Sequence, residues 1–168
     1  MGLINSPFSI VCDAGPIIHL DELNCLDLIY DFTEVFIPET VIQEIKRHRP
    51  QVLKKDLFIY EIIKVGSIHN IELKTLVRSL SLHEGEQEAL NLMLSKPESI
   101  LITDDSAARL AATTLKLKVH GTIGIIIRAI RRNQRSTSEV NKIIHSIPSK
   151  SSLHIKPSLL DAVLDQLN

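Results

Sequence analysis

The residues with the most chemistry to offer are carboxylates placed where a short apolar run gives way to a helical pattern. Asp104 and Asp105 stand side by side between the run Ile100-Leu101-Ile102 and a stretch carrying Ala107, Leu110, Ala111 and Leu115 on one helical stripe. Asp13 follows the β-prone run Phe8–Cys12 and precedes Ala14-Gly15-Pro16. Glu44 borders the apolar face that Val41, Ile42 and Ile45 give to a helix over 40–48. Glu86 lies three residues before Ala89 and four before Leu90, on the inward stripe of a helix that starts near Glu84, whereas Glu88 points out to solvent. Each acid also has a structural use available. Asp is a favoured N-cap, and Ser81 with Glu84 fits a capping box. One cap needs one Asp, and at 104–105 there are two.

If these acids converge, the chemistry is constrained. Two carboxylates 4 Å apart repel by ~1–4 kcal/mol at effective dielectrics between water and a protein surface. Four together require protonation or a cation. An all-oxygen ligand set favours Mg²⁺ or Mn²⁺ over zinc or copper. Such a cluster is the plan of a phosphodiesterase, with water made acidic and the leaving oxygen steadied by metal. Other plans lack their residues. There is no G-x-S-x-G elbow, P-loop or G-x-G-x-x-G, and the seven His are scattered. A phospho-acceptor receiver domain would carry its acidic pair after the first strand, and here the pair comes late.

Basic residues fall in two groups. Lys46, Arg47, His48 and Arg49 form either a solvated helix end or a phosphate contact. Arg128, Arg131, Arg132 and Arg135 share one helical face, which reads as a solvated face or as a phosphate track.

The elements that must position these groups alternate. Strands are expected at 8–12, 34–37, within 54–64, at 100–102 and at 118–120. Helical patterns lie over 17–26, 40–48 (Pro38 opening it), 73–80, 84–94, 107–115 and 123–130. Alternation of this kind predicts a parallel sheet with helices on both faces and all strand ends on one edge. Asp13, Asp104 and Asp105 then share that edge, and Glu44 and Glu86 can join them. After residue 133 the pattern continues with a capping box at Ser136–Glu139 and a stripe of Val140, Ile143, Ile144 and Ile147 ended by Pro148. A linker-like Ser149–Ser152, a small edge strand at 153–155 and a last helix capped by Ser158 complete the chain.

A chain of 168 residues with net charge −1 suits one domain, with a core over about 8–133 and a helical extension over about 136–168, and is no bulk polyanion binder. Cys12 and Cys25 form no C-x-x-C pair, no run reaches the ~18 residues that span a bilayer, and no signal peptide opens the chain. The expectation is a cytoplasmic protein without membrane contact.

The ordered motifs V-C-D-A-G-P-I-I-H-L, I-P-E-T-V-I-Q-E-I, L-H-E-G-E-Q-E-A-L, L-I-T-D-D-S-A-A-R-L-A and V-H-G-T-I-G-I-I-I-R-A-I resemble the PIN-domain family. More specifically, they look like VapC-like toxin ribonucleases and a related subfamily long catalogued only as a domain of unknown function. The resemblance covers roughly 10–130, and the tail beyond is similar too. It implies a three-layer α/β/α sandwich and metal-dependent endonucleolytic cleavage of single-stranded RNA. It also implies a small antitoxin as partner and a possible homodimer. Asp13, Glu44 and Glu86 match the family's first three acids. The fourth falls on Asp105 by the common T-x-D spacing, while the subfamily pattern takes in Asp104 with Arg109. The implied metal ligands are Asp13, Glu86, Asp104 and Asp105. Thr103 matches the hydroxyl residue beside the last acid, and Thr103, Arg109, Arg128, Arg131 and Arg132 are the expected substrate contacts. His19 departs from the family, where a small or apolar residue is usual. The alternative reading is a non-catalytic PIN-fold binding module that acts through a protein partner.

Overall fold

Short runs of β-branched residues, buried on both sides, form the centre of the computed structural model, which describes residues 8–56 and 59–167. Among the described residues one all-parallel sheet has five strands: β1 (Ser9–Cys12), β2 (Glu34–Pro38), β3 (Glu61–Ile63), β4 (Ile100–Ile102) and β5 (Val119–His120), in the order β3-β2-β1-β4-β5. Ile10 of β1 is in register with Val35 on one side and Ile100 on the other.

The helices are α1 (Ala14–Glu22), α2 (Glu39–His48), α3 (Ile71–Leu80), α4 (Glu84–Ser95), α5 (Ser106–Thr114), α6 (Thr122–Arg131), α7 (Thr137–Lys150) and α8 (Pro157–Leu167). The steps from β1 to β2 to β3 move one way across the sheet, and those to β4 and β5 move the other. With a common right-handed crossover, the connecting helices must fall on opposite faces. The two halves of the core show this. Ile10, Cys12, Ile37 and Ile102 pack with residues of α1, α2, α6, α7 and α8. Val11, Phe36 and Leu101 pack with residues of α3, α4 and α5. The result is the three-layer α/β/α sandwich that the alternation predicts. Among the described residues no helix is long and apolar enough to cross a membrane.

Several local expectations need correction. The strand within 54–64 reduces to Glu61–Ile63, and its residues 57–58 lie outside the described residues. β1 ends before Asp13, and the helical pattern expected from residue 17 begins earlier, with Gly15 and Pro16 in the first turn of α1, where Pro lacks only an N–H that would go unpaired anyway. Pro38 ends β2 and is the N-cap of α2, one position earlier than expected. The α5 stripe is turned by one residue: Ala108, Ala111 and Ala112 are buried, while Leu110 is exposed. The α6 stripe, expected as Ile123, Ile126, Ile127 and Ile130, is also turned by one residue, with Thr122, Ile125, Ile126 and Ala129 inward. In both helices the small residues face the sheet, which lets the backbone approach closely. Helix α7 continues through Pro148 to Lys150. Residues 151–156 form no strand. Ser151 and Ser152 instead bond to the Glu22 carboxylate, and Leu153 and Ile155 pack on the core. α8 opens at Pro157 rather than after a Ser158 cap.

Candidate active site

β1 and β4 are neighbours, yet the chain leaves β1 toward one side and enters β4 from the other. Open parallel sheets bind ligands outside the strand C-termini at such a reversal. Asp13 sits at this point. Its N–H donates to the Ile102 carbonyl at 2.9 Å, which carries the β1–β4 ladder one residue past the strand. Its Oδ1 accepts from the Ala14 N–H at 2.8 Å, capping α1, and its Oδ2 accepts from the Thr103 hydroxyl at 2.8 Å. The Thr103 oxygen in turn accepts from the Asp105 N–H at 3.2 Å. Asp105 caps α5 through Ala108 N–H at 2.7 Å. Thr103 therefore fixes the positions of two acids from neighbouring strands.

A cleft of about 580 Å³ opens over Asp13. One wall is the α2 stripe Thr40, Gln43, Glu44, Arg47 and His48; the other is His83–Glu86 at the start of α4. Gly85 lets the two helices meet: a Cβ there would lie 3.2 Å from Val41 Cγ2 and 3.6 Å from Glu44 Oε2. Glu86, not Glu84, closes the α4 cap, its Oε2 accepting from the His83 N–H at 2.8 Å. Ser81 belongs instead to the end of α3, in the left-handed region with φ 52°. Glu88 is not solvated; its carboxylate accepts from the Thr40 hydroxyl and ties α4 to α2.

The charges in this cleft are strained. The Asp13 carboxyl is raised to about 6, chiefly by burial and further by the charges of Glu44 and Asp105, against the hydrogen bonds from Thr103 and Ala14 that pull it down. Glu86 is also raised, first by burial, against the His83 N–H, with Asp105 and Asp13 adding to the rise. Asp13, Glu44, Glu86 and Asp105 thus share one electrostatic field. As the side chains stand, among the described residues no three of the His, Cys, Asp or Glu groups are close enough together to grip an ion.

Asp104 has a different environment. Its Oδ2 accepts from His19 Nδ1 at 2.8 Å and from the Thr122 hydroxyl at 2.5 Å, and its Oδ1 accepts from the Thr122 N–H at 2.8 Å. Burial acts to raise it, but the bonds from His19 and Thr122 outweigh burial and hold it below the usual carboxylate range. Arg109 reaches the Thr103 carbonyl at 3.3 Å. A Cβ on Gly121 would come within 2.7 Å of Asp104 Oδ1 and 3.1 Å of Arg109 Nη1, so only glycine fits there. The adjacent pair therefore divides: Asp105 caps α5 and acts through its charge on Asp13 and Glu86, and Asp104 joins α1 to the start of α6.

The arginine stripe does not line the cleft. Arg128 and Arg132 both pair with Asp31, Arg132 through two bonds at 2.7 Å, and Arg135 pairs with Asp27 at 2.7 Å. Asp27 and Asp31 lie in the 3₁₀ turn Leu26–Asp31 that leads into β2, at the opposite end of the strands from Asp13. Arg131 is exposed on α6. Sequence reasoning passed over Thr122 and Gly121 and flagged His19 without a role. The signal for all three was His19 itself, a polar residue on an otherwise apolar helix face.

No curated protein matches the chain. A family model described as a PIN domain matches residues 9–168, a span that takes in all five strands and every acid of the cleft. By that match the chain belongs to the PIN-domain family.

Proposed function

We propose that the protein is a Mg²⁺- or Mn²⁺-dependent endoribonuclease that cleaves single-stranded RNA, of the VapC-like kind, and that it serves as the toxin of a toxin–antitoxin pair. The observation that supports the reading is the electrostatic field that Asp13, Glu44, Glu86 and Asp105 share near the sheet's reversal point, with Asp13 and Glu86 raised by burial and by neighbouring acids. A PIN domain is a nuclease-type fold. The donors are oxygens only, which suits Mg²⁺ or Mn²⁺, and Asp13, Glu86 and Asp105 are the residues that would hold the ion, with Glu44 beside them.

Bound there, a divalent ion supplies charge compensation, polarises a phosphoryl oxygen and acidifies water. The chain's own residues do the rest. Thr103 holds the Asp13 carboxylate in one orientation. The Ala14 N–H, at the positive end of α1, keeps that carboxylate in place despite its buried charge. Without a cation the Asp13 carboxyl is raised to about 6, so a divalent ion held there would relieve the repulsion from Glu44 and Asp105. Asp104 takes no part in the chemistry in this reading; it positions the loop that carries Asp105.

The test is cleavage of a single-stranded RNA by the wild type and by Asp13→Asn, with Mn²⁺ and with EDTA. The expected result is metal-dependent cleavage, lowered by about 10²–10⁴-fold in the variant. Equal activity in both proteins removes the mechanism. One observation favours a second reading, a binding module: the acids do not close on an ion-sized point as they stand. Absence of cleavage with any divalent ion, together with a stoichiometric protein partner on purification, selects that reading.

A further inference from the structure

The α2 stripe that carries Glu44 continues away from the acids as Arg47 and His48. Thr40, Gln43, Glu44, Arg47 and His48 fall at i, i+3, i+4, i+7 and i+8, which is one face of one helix. The other face, with Val41, Ile42 and Ile45, is buried. The cleft is therefore acidic at one end and basic at the other, with ~5–6 Å of helix between Glu44 and His48.

The basic group at the end of α2 has divided duties. Arg49 bonds to Asp21 at 2.5 Å together with Lys55, and this buried carboxylate anchors both. Lys46 is exposed outside the cleft. Arg47 lines the cleft, and its Nε donates only to the Gln43 carbonyl at 3.4 Å. Glu44 lies three residues before it, a spacing at which opposite charges usually pair on a helix. Among the described residues no carboxylate lies within ion-pair distance of Arg47, although Glu44, Glu84 and Glu86 line the same cleft. Arg47 keeps a cation with donors to offer, and the charge of Glu44 acts on Asp13. A solvated helix end complementing the dipole accounts for a positive charge near the end of α2, but not for a guanidinium that lines the acid cleft and leaves the available acids unpaired.

We propose that Arg47, with Gln43 and His48, holds the phosphate next to the one that is cleaved, so that the RNA strand lies along α2 and crosses the acids at one end only. This rests on the ribonuclease reading for the identity of the strand. It makes Arg47 a substrate-binding residue and requires a substrate that extends at least one nucleotide beyond the scissile linkage on the α2 side.

The experiment reads binding and cleavage separately. A fluorescein-labelled single-stranded RNA is titrated in EDTA, over a range of salt, with the wild type, Arg47→Ala, Arg47→Lys and the control Lys46→Ala, which removes the same charge outside the cleft. Arg47→Ala should weaken binding about tenfold, the size of one lost charge-assisted hydrogen bond. Its slope of log K against log salt should fall by about 0.7, as for one phosphate of a single strand. Arg47→Lys should restore the slope and part of the affinity, and all variants should melt with the wild type. In Mn²⁺, RNAs with one neutral methylphosphonate linkage are then scanned. A single position adjacent to the cleavage site should raise KM in the wild type and leave Arg47→Ala indifferent. Equal effects of Arg47→Ala and Lys46→Ala, or a lowered melting temperature with unchanged binding, overturn the proposal. If the binding pattern appears but no protein cleaves, the ribonuclease reading fails and the RNA track stands. If cleavage appears without the pattern, the track fails and the ribonuclease stands.

Discussion

Asp104 and Asp105 are one peptide bond apart, and their surroundings are opposites. Asp104 receives three hydrogen bonds, from His19 and Thr122, and is held below the usual carboxylate range. Asp105 helps to raise two other acids, the buried Asp13 and the half-buried Glu86. The first environment is complete and stabilises the fold. The second has negative charge in excess and needs something from outside. The comparison teaches how one sheet edge can hold two kinds of acid: Asp104 is bonded to a histidine and twice to Thr122, whereas Asp13, Asp105 and Glu86 accept from backbone N–H groups and Thr103 and share a field of like charge.

The linkage of each environment to pH differs in sign. Asp13 has a folded value of about 6 against an ordinary 3.8, so its contribution to stability is full below the ordinary value and is lost as pH rises through 6. The loss amounts to ~3 kcal/mol at pH 7.5. Asp104 is lowered, so its contribution is present above the ordinary value and is lost as pH falls. Thermal melts in EDTA at pH 7.5 should therefore find Asp13→Asn several degrees more stable than the wild type, at ~2–4 °C per kcal/mol. Asp104→Asn should be less stable, by ~1–3 kcal/mol for its broken hydrogen bonds. The gap between wild type and Asp13→Asn should close below pH 4. Added Mn²⁺ should raise the wild-type melting temperature by mass action and leave Asp13→Asn nearly unmoved. Two variants shifted the same way would break the comparison.

Two glycines sharpen it. Gly121→Ala drives a Cβ to 2.7 Å from Asp104 Oδ1, inside the complete environment, and nothing there can yield without losing a bond. A loss of ~1–3 kcal/mol is expected on melting. Gly85→Ala meets Cγ2 of the buried Val41 at 3.2 Å, which asks for a shift of a few tenths of an ångström, and Glu44 Oε2 at 3.6 Å, an ordinary van der Waals contact. Its stability should change by less than ~1 kcal/mol, because only the Val41 methyl has to shift and Glu44 keeps its place. A larger stability loss at Gly85 than at Gly121 would reverse the assignment of the two environments.

Much of this arrangement was legible because it depends on strand direction and helix starts. Five apolar runs alternating with helical stripes specify a parallel sheet, and a parallel sheet sends Asp13 and Asp105 to one edge whatever the details of packing. The position of Glu86 on the inward side of α4 followed from its spacing to Ala89 and Leu90. What stayed hidden was decided by partners remote in sequence. The division of Asp104 from Asp105 depends on His19 and Thr122, 85 and 18 residues away. The inward faces of α5 and α6 were misjudged by one residue because apolar count favours Leu110 and Ile123, whereas close packing on the sheet favours Ala108, Ala111 and Ala129. Glu88 seemed solvated because its partner, Thr40, sits on another helix.

The smallest effect is expected where the sequence offered the boldest charge pattern. Arg128 and Arg132 look like a phosphate track on a helical wheel, but both close on Asp31 beside the turn that enters β2. Arg128 also lies over the Phe32 ring, 4.4 Å from its centroid. These groups are partly exposed, and pairs of that kind contribute ~0–1 kcal/mol each. Arg132→Ala should thus lower the melting temperature by a few degrees at most and leave RNA cleavage within about twofold of wild type, a ratio worth ~0.4 kcal/mol. The reason is geometric. Helix α6 starts at the strand C-termini, where Thr122 meets Asp104, and its last turn lies ~14 Å further along its axis, beyond direct reach of a strand held over Asp13. A tenfold loss of cleavage in Arg132→Ala at unchanged stability would place the RNA across both ends of the sheet, and the separation of an anchored edge from a reactive one would have to be redrawn around the arginines.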